Sequence, residues 1–124
     1  MSIRGIGTDI VQVQRIAAAV ERQKNFAARI LTAHEYAQFE QAKEPARLLA
    51  KRFAAKEACL KALGTGLAQG ISWQHIEVQH TPLGQPILHL SGGAEQRAKE
   101  LGVSQMDVSI SDEMDYAIAF VVLS

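Results

Sequence analysis

The stretch Arg47–Gly66, RLLAKRFAAKEACLKALGTG, decides the fold, and the rest of the chain is arranged about it. Leu48, Leu49, Phe53, Leu60 and Leu63 recur at three- and four-residue steps with alanines between them, the period of a helix with a core-facing side. Pro45 suits the first helical position, where the N–H it lacks would go unpaired anyway. Gly64 suits the left-handed residue just past the end. Lys51, Arg52, Lys56, Glu57 and Lys61 lie outside the main apolar stripe. Glu57 and Lys61 stand four apart and so share a face. One carboxylate beside one ammonium can hold a divalent cation and an anionic oxygen in the same small site. A solvated ion pair, worth about 0.3–0.5 kcal/mol to a helix, has the same spacing. Taken alone, the helix favours the solvated pair, and only the rest of the chain changes that reading.

Upstream, Ile3–Val13 (IRGIGTDIVQV) reads as a strand with a turn or bulge near Gly5 and Gly7. Asp9 falls in the middle of this apolar segment. A buried carboxylate must be paired or bound to a cation, so Asp9 is a candidate ligand. It is equally a candidate N-cap for the helix that Arg15–Arg22 predicts. Arg15 and Arg22, seven apart, share a basic face, with Ile16, Ala19 and Val20 on another. Such a face is usually only solvated, yet with Lys24 and Arg29 it can also meet an acidic helix of a partner. Thr32 and Glu35 have capping-box spacing, which predicts a second helix to about Ala42.

Downstream of Gly64-Thr65-Gly66 the period changes. Ile76, Val78 and His80 alternate with polar residues behind Trp73 and predict a strand. Thr81-Pro82-Leu83-Gly84 is turn chemistry, and Pro86–Leu90 is the returning strand of a hairpin. Ala94–Leu101 reads as a helix stopped by Gly102. Met106–Ser111 and Tyr116–Leu123 predict a second hairpin, its last strand, YAIAFVVL, apolar on both faces and therefore central. The order βαααββαββ predicts an α+β domain with an antiparallel sheet wrapped around the long central helix.

Composition narrows the function classes. The chain has 124 residues, enough for one domain with a real core. Its formal net charge is zero, which argues against a globally nucleic-acid-binding surface. The single Cys59 excludes an internal disulfide, and with four scattered histidines it gives no zinc spacing. Inside the helix it reads as a packed thiol. No apolar run approaches about 18 residues, and the start lacks the apolar core of a secretion signal, so neither a membrane span nor export is expected. A cytoplasmic protein is the expectation.

Several segments together, in order and over nearly the whole chain, resemble the holo-[acyl-carrier-protein] synthase family, the small bacterial type of 4′-phosphopantetheinyl transferase. They are GIGTDIVQVQRI (Gly5–Ile16), RILT (Arg29–Thr32), AKRFAAKEACLKALGTGL (Ala50–Leu67), LGQP (Leu83–Pro86) and SISDEMDYAIAFVVL (Ser109–Leu123). The resemblance implies a single phosphopantetheinyl transferase domain over residues 1–124. It implies transfer of the phosphopantetheine arm of coenzyme A to a serine of an apo-acyl carrier protein of fatty-acid synthesis. Mg²⁺ would sit between Asp9 and Glu57, with Lys61 the matching lysine. Coenzyme A is expected on Lys61, Gly64, Thr65, Gly66, Gln85 and Pro86, and the carrier's acidic helix on Arg15 and Arg22. A homotrimer with active sites between subunits is implied, with no nucleic-acid or membrane partner.

The chemistry is coherent with those residues. Cleaving a pyrophosphate moves negative charge onto the leaving phosphate, which a metal and an ammonium both stabilise. Mg²⁺ prefers one or two carboxylates plus phosphate oxygens and water. Glu57 is the nearest candidate base for the serine proton. Gly64-Thr65-Gly66 follows a helix and so is no P-loop, but its glycines let backbone N–H groups approach a nucleotide. Three positions depart from the family: Asp107 and Asp112 stand where relatives often carry histidine, and Gln85 where they carry lysine. The competing classes are a carrier-binding module without turnover, which an intact Asp9, Glu57 and Lys61 disfavour, and an acyltransferase that cuts the coenzyme A thioester. The second is disfavoured because no Cys–His or Ser–His pairing is visible.

Overall fold

A computed structural model describes residues 2–124. Strand β1 (Gly5–Gln12) leads into α1 (Val13–Arg22), the short α2 (Phe26–Ile30), α3 (Ala33–Gln41) and the long α4 (Pro45–Leu63). A 3₁₀ turn at Trp73–His75 then precedes β2 (Ile76–His80), β3 (Pro86–Leu90), α5 (Gly92–Leu101), β4 (Met106–Asp112) and β5 (Tyr116–Leu123). The expected α+β order holds, with α2 and the 3₁₀ turn added. Five and three residues carry too little periodicity to announce themselves.

The strands form two antiparallel sheets in place of the one expected: β1-β5-β4, and the hairpin β2-β3. As read from its sequence, β5 is central. Its alternation is nevertheless one-sided: Ala117, Ala119, Val121 and Leu123 are fully buried, whereas Tyr116, Ile118 and Phe120 are exposed.

Helix α4 lies across the inner face of the three-stranded sheet. Pro45 opens it, and Gly64 closes it with φ +78° while donating its N–H to the carbonyls of Leu60 and Lys61. The expected bulge at Gly5 and Gly7 is absent. Strand β1 runs in unbroken register with β5, Gly5 opposite Leu123 through Gln12 opposite Tyr116. The glycines serve a different purpose, because a Cβ at Gly5 would overlap the carbonyl oxygen of Ala62 and one at Gly7 that of Ala58. Helix backbone therefore rests directly on strand backbone, with alanines on one side and glycines on the other.

Two charges expected outside the apolar stripe are buried. Arg52 is 7% exposed and Lys56 fully enclosed. Lys56 Nζ donates to Glu35 Oε1 at 2.6 Å, to the Ile30 carbonyl at 2.8 Å and to the Trp73 carbonyl at 3.2 Å, using all three of its donors. Burial pushes its pKa down, opposed by the Glu35 carboxylate against it. Glu35 is more than the predicted capping residue. It closes the capping box with Thr32, but its other oxygen accepts the Val78 N–H at 2.8 Å. One buried pair thus joins α2, α3, α4, β2 and the 3₁₀ turn.

Candidate active site

The packing of β1 on α4 determines what Asp9 can reach. On the strand, Gly5, Gly7, Asp9 and Val11 point to the helix side by simple alternation. The two glycines bring the backbones together, and Asp9 is the next residue along. Its carboxylate is therefore held against α4 inside a regular strand. The N-cap reading of Asp9 is excluded, since α1 begins at Val13 with Gln12 as its uncapped N-cap.

Lys61 is the first partner of Asp9. Its Nζ donates to the Thr8 carbonyl at 2.8 Å and to Asp9 Oδ1 at 3.2 Å. The four-residue spacing to Glu57 does share a face, but the ion pair forms across to the strand. Glu57 has a different neighbour, the indole of Trp73, whose Nε1–H donates to Glu57 Oε2 at 3.1 Å. Among the described residues Glu57 Oε1 has no hydrogen-bond partner, and no buried side-chain oxygen goes unsatisfied, so this oxygen is open to solvent.

Asp9 and Glu57 line one cavity of about 270 Å³ together with Arg15, Ile16 and Phe53. Two carboxylates from separate elements, one with a free oxygen, fit the donor set that Mg²⁺ takes when phosphate oxygens and water complete its shell. Among the described residues no group of three or more His, Cys, Asp or Glu side chains could hold a metal. Arg15 joins the carboxylates at the cavity, and Arg22 is exposed at the far end of α1.

The other predicted binding residues divide between two places. Gly64, Thr65 and Gly66 follow α4, where Thr65 Oγ1 bonds the Gly66 carbonyl at 3.2 Å. Gln85 and Pro86 lie at the β2-β3 turn, Pro86 opposite His80 in the ladder. His80, the ladder partner of Pro86, lines a cavity of about 190 Å³ with Arg47, Lys51 and Arg52. A helix rises about 1.5 Å per residue, so Arg52 and Gly64 are about 18 Å apart along α4. Within one chain, Gln85 and Pro86 do not line the Asp9–Glu57 cavity.

Sequence reasoning missed Trp73 and the Arg47 cluster. Arg47 holds the β4-β5 turn through Asp112 at 3.2 Å, the Glu113 carbonyl at 2.6 Å and the Met114 carbonyl at 2.9 Å. Asp112 is thus a clamp for cations of α4, and Asp107 accepts from Gln105 Nε2 at 3.0 Å. The Asp112 clamp was not readable from sequence, because its partners Arg47 and Lys51 are distant along the chain. The four histidines stay outside the site. His34, His80 and His89 are exposed, and His75 Nδ1 accepts the Ser72 N–H at 3.2 Å to cap the 3₁₀ turn.

Fold and cavity define a small α+β domain with a paired carboxylate site at a helix–strand seam. The 4′-phosphopantetheinyl transferase superfamily model matches residues 5–121. A holo-[acyl-carrier-protein] synthase of Alteromonas mediterranea is 50% identical over 123 residues, covering 99% of this chain and 98% of its own. The crystal structure of the synthase from Neisseria meningitidis superimposes with a TM-score of 0.91 at 44% identity, covering 99% of both chains. That of the Bacillus anthracis synthase, solved in complex with CoA (3′,5′-ADP), gives 0.83 at 36% identity over 98% of this chain and 96% of its own. The chain belongs to this superfamily and, within it, to the holo-[acyl-carrier-protein] synthase family.

Proposed function

We propose that the protein transfers the 4′-phosphopantetheine group of coenzyme A to a serine hydroxyl of apo-acyl carrier protein, giving holo-acyl carrier protein and adenosine 3′,5′-bisphosphate. The observation that carries this reading is the meeting of Asp9, Glu57 and Arg15 at one cavity, with Lys61 bonded to Asp9. The coenzyme A complex of the Bacillus anthracis relative supports the donor.

In the reaction the serine oxygen bonds to the phosphorus that carries pantetheine. The pyrophosphate P–O bond on the nucleotide side breaks, and its electron pair leaves with the adenosine bisphosphate. Asp9 and Glu57 would hold Mg²⁺, which when bound neutralises charge on the pyrophosphate and the leaving phosphate. Glu57 is the nearest candidate to accept the serine proton. Lys61 spends two of its three N–H donors on Thr8 and Asp9, leaving one for a phosphate oxygen. Arg15, exposed at the rim of the same cavity, can hold an acidic carrier helix beside the reacting serine. The cations Arg47, Lys51 and Arg52, which share a cavity with the Pro86 ladder partner His80, offer charge to a phosphate in place of the lysine lacking at Gln85.

A homotrimer is part of this reading. Ile6, Ile10, Ile118 and Phe120 are 42–61% exposed on the outer face of the β1-β5-β4 sheet. Monomers rarely leave so contiguous an apolar face uncovered, and copies of the chain would bury it. A cytoplasmic setting, where coenzyme A and a carrier of fatty-acid synthesis meet, completes the proposal. Among the described residues no helix is long and apolar enough to cross a membrane.

Intact-mass analysis of an apo carrier incubated with the protein, coenzyme A and Mg²⁺ tests the function. Addition of phosphopantetheine is the expected result, stopped by EDTA and restored by Mg²⁺. An unmodified carrier, or one carrying an acyl group alone, would overturn it.

A further inference from the structure

Trp73 is anchored on every side. Its carbonyl accepts from the buried Lys56 ammonium at 3.2 Å, and its ring packs on Phe53 at a centroid distance of 5.9 Å. The 3₁₀ turn that it opens is closed by Ser72 and His75, while Gln74 Nε2 donates to the Ala28 carbonyl at 2.7 Å and the Leu31 carbonyl at 3.1 Å. From this fixed frame the indole N–H reaches Glu57 Oε2 at 3.1 Å. A carboxylate on a helix otherwise samples several rotamers, and only some aim an oxygen at the cavity. The indole removes that freedom: it occupies Oε2 and leaves Oε1 directed to solvent.

We propose that Trp73 is a positioning residue, whose indole N–H sets the Glu57 carboxylate for cation binding in the transferase reaction and whose emission reports occupancy of the site. The inference rests on the function proposed above. Groups that hydrogen-bond a metal ligand orient it, and their loss typically costs about 10- to 100-fold in metal affinity or activity. Trp73 is the single tryptophan of the chain, so tryptophan emission reports one indole, the one hydrogen-bonded to Glu57.

Trp73→Phe deletes the N–H and keeps an aromatic ring against Phe53. With coenzyme A present, Mn²⁺ binding followed by electron paramagnetic resonance of the free ion should weaken about 10- to 100-fold. The Mg²⁺ concentration giving half-maximal transfer should rise in parallel, while the Michaelis constant for carrier and the thermal melt stay near wild type. Unchanged Mn²⁺ affinity in the folded variant overturns the inference. A second measurement uses the unmodified protein and does not depend on how the variant folds. Titrating Mg²⁺ into the protein with coenzyme A should change Trp73 emission along the calorimetric binding curve. A flat emission trace during measured binding also overturns the inference, yet leaves transferase activity intact. If the wild type neither binds Mn²⁺ nor modifies the carrier, the function reading fails first and the inference falls with it.

Discussion

Lys61 is the residue at which chemistry and a simple ion pair separate. Its side chain is 57% exposed and pairs with Asp9, which is 16% exposed. Such a pair is worth about 0–1 kcal/mol, so Lys61→Met should barely move the melting temperature on either reading. If the third N–H contacts the leaving phosphate, turnover should fall about 10²- to 10³-fold, or roughly 2.7–4 kcal/mol, because charge accumulates there in the transition state. Lys61→Arg should restore activity only in part, since the guanidinium lacks the compact geometry of an ammonium. Steady-state kinetics beside a thermal melt decides; normal turnover in Lys61→Met would remove the residue from the site. Cys59 makes the opposite case, a reactive group type made inert. Fully buried on α4, its thiol is pushed by burial from 9.0 up to about 12. A thiol reagent at pH 8 should label it only after denaturant unfolds the chain. The unfolded thiol releases its proton from about pH 9.0 while the folded one keeps it, so the unfolded state binds fewer protons in that window. This residue's contribution to stability is therefore complete below pH 9.0 and is lost as pH rises towards 12. Urea melts of wild type and Cys59→Ala across that range should differ in slope with that sign.

The seam between α4 and β1 is the element-scale feature on which the site depends. Gly7 permits it, because a Cβ there would meet the Ala58 carbonyl and lie 2.8 Å from the Ala62 nitrogen. Gly7→Ala must push the helix off the strand, and overpacking of that kind costs about 1–3 kcal/mol. Asp9 is two residues on and Glu57 adjoins Ala58, so the same shift should separate the two carboxylates and lower transfer activity beyond the loss of stability. An unchanged melt and unchanged activity would show that the close approach is not required. Much at this scale was legible. The helix period, Pro45, Gly64 and the Thr32–Glu35 box all act through neighbours within four residues, and each occurs as read. The meaning of Gly5-x-Gly7 was not, because turn, bulge and close approach all ask for glycine, and only the packed helix says which applies.

At the scale of the whole molecule, the outer sheet face and the basic face of α1 make separate predictions. Phe120→Glu places a charge on the exposed apolar strip opposite Thr8 in the ladder. Light scattering after size exclusion should give a trimer for the wild type and smaller species for the variant. A variant that stays trimeric would place the interface elsewhere. On α1, Arg15→Glu should raise the Michaelis constant for carrier far more than that for coenzyme A, and wild-type transfer should weaken as salt rises. Equal damage to both substrates would assign Arg15 to a shared role in the cavity that it lines with Asp9 and Glu57.

The sequence by itself determined the order of the main elements, the central place of β5, the caps of α3 and α4 and the packed Cys59. All of these follow from residue type and spacing along the chain. Tertiary structure alone decided which charge meets which. It sent Lys61 to Asp9 instead of Glu57, buried Lys56 against Glu35, gave Glu57 the indole of Trp73 and tied Asp112 to Arg47. The physical reason is that helix spacing fixes which side chains share a face and says nothing of what lies opposite. Each of these partners stands at least 16 residues away in sequence and is brought near only by packing.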